Sequence, residues 1–359
     1  MRCVTPMFRV FQKEHHETGR IIAREKVLEH LNYDPNYIRT QMERFKERDP
    51  SIGIEQIPCG KCWACKLNYS AQWATRLSLE TKKSEHNYFI TFTYDDNHLP
   101  INERVKIGEE VIENDGTWGG SLDPEDMTRF IKTLRKHFER EYKEQGLEPP
   151  KIKYFYCGEY GPSTQRPHYH MILLNAPLDL SQFYGTFVDT NFKAHWKSKQ
   201  LEHWWAKGMI DVAEVEWSNA AYVARYCMKK LQQYGSKEDY YRDGRYPEFI
   251  RMSKGIGFEY FQQHKDEIYK HDEIVMKTIK GNIGSVKPPK AFDRKMKELD
   301  PEGFELIQLS RKHAAERADE IKRTLTSYTD KQMLEMEREK VLLKAGMLPR
   351  EGSETVGTL

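Results

Sequence analysis

No stretch of this chain is apolar for long enough to cross a bilayer, and the N-terminus has no signal-peptide apolar core. A membrane-spanning or exported protein is therefore not expected, and the reading is a reducing cytoplasm. Cysteine is scarce, six in 359 residues, and in that compartment six thiols do not form a disulfide framework. A charge of one sign is lacking too: the net charge is +2, so the overall balance indicates no partner. Any nucleic-acid surface must come from local clustering. There is no internal repeat, and no Gly-x-x-x-x-Gly-Lys-Ser/Thr run, which excludes a P-loop nucleotide motor. What is present is an ordinary soluble balance, 38% hydrophobic and 31% charged, far from the signature of disorder. Aromatic residues reach 12%, with 20 tyrosines, enough for base-stacking platforms as well as a core.

The stretch that organises the chain is Arg166-Pro167-His168-Tyr169-His170-Met171-Ile172-Leu173-Leu174. Its aliphatic run after a proline reads as a strand entered from a loop. Residues two apart on a strand share a face, so His168 and His170 project together. Upstream, Lys151–Cys157 alternates in strand fashion and runs on to Glu159. A Gly161-Pro162-Ser163-Thr164-Gln165 loop returns the chain, so the two strands form a hairpin with Glu159 near the histidines. Glu159, His168 and His170 then make a His₂-carboxylate set with open positions, suited to Mg²⁺ or Mn²⁺ as a Lewis acid.

Elsewhere the pattern supplies two further strands and three helices. Tyr88–Tyr94 and Met209–Glu216 read as strands, and residues 100–122 as a loop or hairpin. A helix after Cys65 carries Leu67, Ala71, Ala74 and Leu77. Another starts at Asp123-Pro124, buries Met127, Phe130, Ile131, Leu134 and Phe138, and stops at Gly146 and Pro149-Pro150. A third, over residues 219–233, stacks Tyr222, Tyr226 and Lys230 at four-residue intervals. A phenol is a weak nucleophile until a base or cation favours the phenolate, which Lys229 or Lys230 could supply. Asn175–Gly208 reads as a long aromatic connection, and residues 1–57 as irregular with a charged helical segment at Arg24–Arg48. Gly255 and Gly257 stand in a basic stretch, either a plain turn or a close approach to a phosphate. From Lys280 onward the chain is Lys/Glu-rich and helical. The expected organisation is residues 1–66, 67–280 and 281–359.

Cys59, Cys62 and Cys65 fall at i, i+3 and i+6. They fit a zinc knuckle, with Cys3 as the fourth ligand and His15 or His16 as substitutes. They fit equally well three small buried side chains at a helix start.

Three of these segments, in this order, resemble the motifs of HUH endonucleases, the rolling-circle replication initiators: Thr91-Phe92-Thr93-Tyr94, Arg166 to His170, and Tyr222-x-x-x-Tyr226-x-x-Lys229-Lys230. The Cys59–Cys65 segment with its following helix, and Ser253-Lys254-Gly255-Ile256-Gly257, are similar to those of the initiators of gokushoviruses, small single-stranded DNA phages of the Microviridae. The resemblance covers about residues 58–260. It implies an α+β fold with an antiparallel sheet of about five strands flanked by helices, and a helical C-terminal extension beyond it. It implies that His168, His170 and Glu159 hold the metal, and that Tyr222 and Tyr226 cut and rejoin single-stranded DNA at the origin. The adduct would be a 5′-phosphotyrosine, and the product a 3′-hydroxyl primer. Arg166, Arg225 and Lys254 are the DNA contacts expected within these motifs. Without a P-loop, unwinding and synthesis would fall to a host helicase and DNA polymerase in the bacterial cytoplasm. The rival reading is a non-catalytic single-stranded nucleic-acid-binding or packaging protein, for which a cysteine knuckle and a basic, aromatic surface suffice.

Overall fold

The computed structural model describes residues 7–12, 20–22, 44, 47–60, 62–83, 86–101, 104–107, 110–113, 120–161, 164–188, 194–215, 245–277 and 283–346. In chain order these form β1 (Met7–Gln12), β2 (Arg20–Ile22), β3 (Ile52–Ile57), α1 (Trp63–Thr81), β4 (Tyr88–Tyr94), β5 (Arg104–Ile107) and β6 (Glu110–Glu113). Then follow α2 (Pro124–Glu144), β7 (Lys153–Tyr160), β8 (Pro167–Leu174), β9 (Phe183–Val188), β10 (Ala194–Ser198), α3 (Lys199–Trp205) and β11 (Gly208–Glu214). The last are β12 (Phe249–Met252), α4 (Phe258–His271), β13 (Ile274–Lys277), β14 (Ile283–Val286), α5 (Lys290–Leu299), α6 (Pro301–Thr324) and α7 (Asp330–Gly346). None of these helices is long and apolar enough to cross a membrane.

The contacts divide the chain into two units. One comprises Met1–Tyr69 with Asp300–Arg350, the other Ser70–Leu299 with Glu351–Leu359. The first holds a three-stranded antiparallel sheet in the order β2-β1-β3. This corrects the expectation of an irregular segment over residues 1–57. The Arg24–Arg48 helix lies outside the described residues except for Arg44, Glu47 and Arg48, which are helical. In the same unit, α6 starts at Asp300, whose carboxylate caps Gly303 N, with Pro301 at the first turn.

The second unit is built on a seven-stranded, wholly antiparallel sheet, β12-β7-β8-β4-β11-β10-β9. The fold is thus α+β as expected, but the sheet is wider than five strands. Four of the strands are legible as apolar alternation; β9, β10 and β12 are the additions. The segment read as a long connection holds β9 and β10. All of β9 after Phe183 is exposed, so it carries no inward-outward alternation to reveal it.

One face of the sheet is the main core. Phe92, Tyr94, Tyr169, Met171, Leu173, Ile210 and Val212 pack there against Met127, Phe130, Leu134 and Phe138 of α2 and Leu201 and Trp205 of α3. The α2 helix begins as the sequence predicts, with Asp123 Oδ1 accepting from Glu125 N at 2.8 Å and Pro124 next. On the opposite face, Phe155, Cys157, Ile172 and Leu174 pack on Trp73, Leu77 and Ile256. Towards the far end of β7 and β8 this second face changes from apolar to ionisable.

Candidate metal centre

The change occurs because β7 and β8 are register partners: Cys157 opposes His170 and Glu159 opposes His168. Partners across an antiparallel pair point to the same face. Glu159, His168 and His170 therefore meet, with one ligand atom of each within 4.8 Å of the others. His168 Nε2 lies 2.7 Å and His170 Nε2 2.9 Å from the same carboxylate oxygen, Glu159 Oε1. Glu159 is fully buried, and its second oxygen, Oε2, has no hydrogen-bond partner among the described residues.

Each imidazole is held from behind. His168 Nδ1 lies 3.1 Å from the Arg166 carbonyl, and His170 Nδ1 lies 2.9 Å from Thr91 Oγ1 on β4, the strand paired with β8 on its other side. A carbonyl only accepts, so His168 Nδ1 carries the proton. A neutral His168 then turns a lone pair at Glu159 Oε1, which is repulsive. A protonated ring relieves this, and so does a cation bound among the three groups. Burial works to raise the Glu159 pKa, but the charge on His170 and hydrogen bonds from both rings outweigh it, and the carboxyl sits below its ordinary value. A buried carboxylate with an orphaned oxygen, two convergent ring nitrogens and two Nδ1 atoms fixed by outer partners fit a divalent cation.

Arg166 donates from Nε and Nη2 to the Tyr94 carbonyl, at 3.1 and 2.8 Å, and Nη1 lies 2.7 Å from Asp96 Oδ1. Its fork thus clamps the end of β4, while its own carbonyl receives His168. Lys254 is exposed and lines a cavity of about 390 Å³ with Arg135, Lys151 and Lys153. That cavity lies at the other end of β7 from Glu159, roughly 20 Å along the strand. Gly257 does not offer its amide to a phosphate: Gly257 N donates to Glu80 Oε2 of α1, which favours the plain-turn reading. Cys59, Cys62 and Cys65 are grouped in the other unit. Tyr222, Tyr226, Lys229, Lys230, Arg225 and Cys3 lie outside the described residues.

Sequence reasoning missed a second acid–imidazole contact on this face. His195 Nδ1 of β10 lies 2.6 Å from Asp211 Oδ2 of β11, and Asp211 is the register partner of Thr91. The only signal was the polar Asp211 between Ile210 and Val212. Two buried residues just before β12 also frame the site. Glu248 Oε1 accepts from Tyr160 N at 3.1 Å, and the Arg245 guanidinium stands 4.9 Å from the Tyr160 ring centroid.

An antiparallel sheet that presents two histidines and a buried carboxylate on adjacent interior strands defines an α+β protein with a candidate metal centre. Its relatives say which kind. The family of replication-associated proteins of the ORF2 type matches residues 87–231. The chain is 37% identical over 304 residues to the replication-associated protein ORF2 of Spiroplasma virus 4, covering 82% of this chain and 86% of that one. It is 28% identical over 249 residues to the replication-associated protein VP4 of Bdellovibrio phage phiMH2K, covering 68% and 69% of the two chains. The chain belongs to this family of phage replication-associated proteins, of the Microviridae type. Among solved structures, the N-terminal nuclease domain of the minute virus of mice non-structural protein 1 matches over 52% of this chain and 73% of that one, at 11% identity. Its TM-score, 0.17, is too low for that likeness to bear on the reading.

Proposed function

We propose that this protein initiates rolling-circle replication of its phage. It nicks single-stranded DNA at the origin, stays joined to the 5′ end through a tyrosine and later rejoins the strand. The observation that carries the reading is the convergence of His168 Nε2, His170 Nε2 and the buried Glu159 on one point. Membership of a replication-associated family supports it. Glu159, His168 and His170 would hold Mg²⁺ or Mn²⁺, which when bound supplies Lewis-acid polarisation of the scissile phosphodiester.

The chain's own residues do the rest. The phenol oxygen of Tyr222 or Tyr226 attacks phosphorus, forming the P–Oη bond as the P–O3′ bond breaks. The phenol proton is lost, favoured by the positive charge of Lys229 or Lys230, and the departing 3′ oxygen is protonated to the primer hydroxyl. The second tyrosine cuts the regenerated origin by the same step. Attack of the released 3′-hydroxyl on the first phosphotyrosine then restores a phosphodiester and closes the circle. The host would contribute its helicase and DNA polymerase.

The experiment is incubation of the full chain with Mn²⁺ and end-labelled single-stranded origin DNA, followed by denaturing electrophoresis. A protein–DNA adduct is expected from the native sequence, and none from Tyr222→Phe/Tyr226→Phe, which keeps its DNA binding. An adduct persisting in that double variant refutes the tyrosine assignment.

A further inference from the structure

A second cluster of ligand-grade atoms lies in the other unit, and the nuclease reading makes no use of it. Cys59 follows β3, Cys62 immediately precedes α1, and Cys65 lies in the first turn of that helix. Their sulfurs lie within 4.8 Å of one another, and Cys59 Sγ is 4.0 Å from Cys65 Sγ. A disulfide brings two sulfurs to about 2.05 Å. Thiolates about 2.3 Å from one tetrahedral zinc stand about 3.8 Å apart along each edge. The observed separation is that of ligands around an ion.

The backbone is shaped to hold that spacing. Gly60 has φ +74, in the left-handed region, and a Cβ there would meet no atom within 4 Å. Glycine is thus present for the turn and not for space. The turn brings Cys62 N to 3.3 Å from Cys59 Sγ, so a backbone N–H donates to the sulfur and favours the thiolate. The first turn of α1 adds the positive end of its dipole beside Cys62 and Cys65. Cys65 is buried and the other two are half-buried, so collected negative charge needs a cation to balance it.

We propose that Cys59, Cys62 and Cys65 form a structural site for a zinc-class divalent cation, which staples the exit of β3 to the first turn of α1. The three thiolates leave one tetrahedral position for a further ligand. The proposal is independent of the nuclease chemistry, since it involves neither histidine nor tyrosine.

The test uses the full chain, purified reduced and stripped with a chelator, then titrated with Co²⁺ and afterwards with Zn²⁺. Expected is a thiolate-to-cobalt charge-transfer absorption that saturates at about one Co²⁺ per chain and is displaced by Zn²⁺. It should persist in His168→Ala/His170→Ala and fall at least about tenfold in Cys59→Ser/Cys62→Ser. An undiminished band in a folded cysteine variant overturns the site. Should that variant fail to fold, the native sequence decides. A thiolate band retained in the histidine variant, with Zn²⁺ shielding thiols from a thiol reagent, supports the site; absence of the band overturns it.

Discussion

Glu159 and His168 face each other across the β7–β8 pair, Oε1 to Nε2 at 2.7 Å, and the partner that steadies this cluster from the other side is a hydroxyl on β4. Thr91 Oγ1 lies 2.9 Å from His170 Nδ1. By accepting the Nδ1 proton it leaves the Nε2 lone pair for a metal. Thr91→Val keeps the branched shape and removes the acceptor. Affinity for Mn²⁺ should fall about 10- to 100-fold, while excess metal restores adduct formation. The check is the Mn²⁺ concentration giving half-maximal adduct. Equal midpoints for variant and native protein would remove Thr91 from the account.

Arg166 separates two roles that its charge alone cannot. Its three side-chain nitrogens are engaged with the Tyr94 carbonyl and Asp96, and its own carbonyl holds His168. Arg166→Ala should therefore cost about 1–3 kcal/mol of stability and slow nicking by loosening His168. The salt dependence of DNA binding should not change. A phosphate-contacting arginine would instead lower the slope of log K against log salt by about one on removal. Denaturant midpoints and a salt series on the same variant distinguish the two.

The Arg166 contacts also mark where sequence stops being informative. A basic residue in a motif shows its charge, but not that its planar fork is taken by a carbonyl one strand away. The Glu159–His168 pairing was legible because two alternating runs joined by a short Gly-Pro loop can only pair locally, which fixes the register. The α2 helix was legible for a similar reason: cap, proline and apolar stripe all agree over Asp123–Phe138. By contrast, β1 pairs with β3, which comes far downstream with no local turn to signal it. The exposed β9 lacks a buried side, and the His195–Asp211 contact depends on strand order. The paired tyrosines rest on the motif, since their segment lies outside the described residues.

Raising the pH should unfold the sheet through its own tyrosines. Burial pushes the Tyr156 phenol up to about 12, and burial also raises Tyr94, Tyr160 and Tyr169. A group whose folded pKa lies above its unfolded value contributes its full stability below the unfolded value, near 10. That stability is lost as pH rises through the folded one. Each such phenol sheds up to about 1.4 kcal/mol per pH unit across that window. Tyrosinate absorbance should therefore rise in two stages above pH 10, the second coinciding with loss of circular dichroism. Smooth ionisation of all tyrosines with the fold intact would contradict the buried environment.

Two glycines with the same backbone sign should respond differently to a methyl group. Gly146, just past α2, has φ +70 and nothing within 4 Å of an added Cβ. Gly257 has φ +78, but its added Cβ would come 3.1 Å from the Arg76 carbonyl oxygen. The backbone there is fixed by Gly257 N donating to Glu80 and by Arg76 Nε donating to the Ile256 carbonyl at 3.0 Å. Gly146→Ala should cost about 1–2 kcal/mol, the left-handed penalty alone. Gly257→Ala should cost more, because α1 and the turn before α4 must separate to relieve the contact, exposing Ile256 and breaking both hydrogen bonds. Denaturant unfolding of the two variants checks the order, and equal losses would mean that the turn can shift without strain against α1.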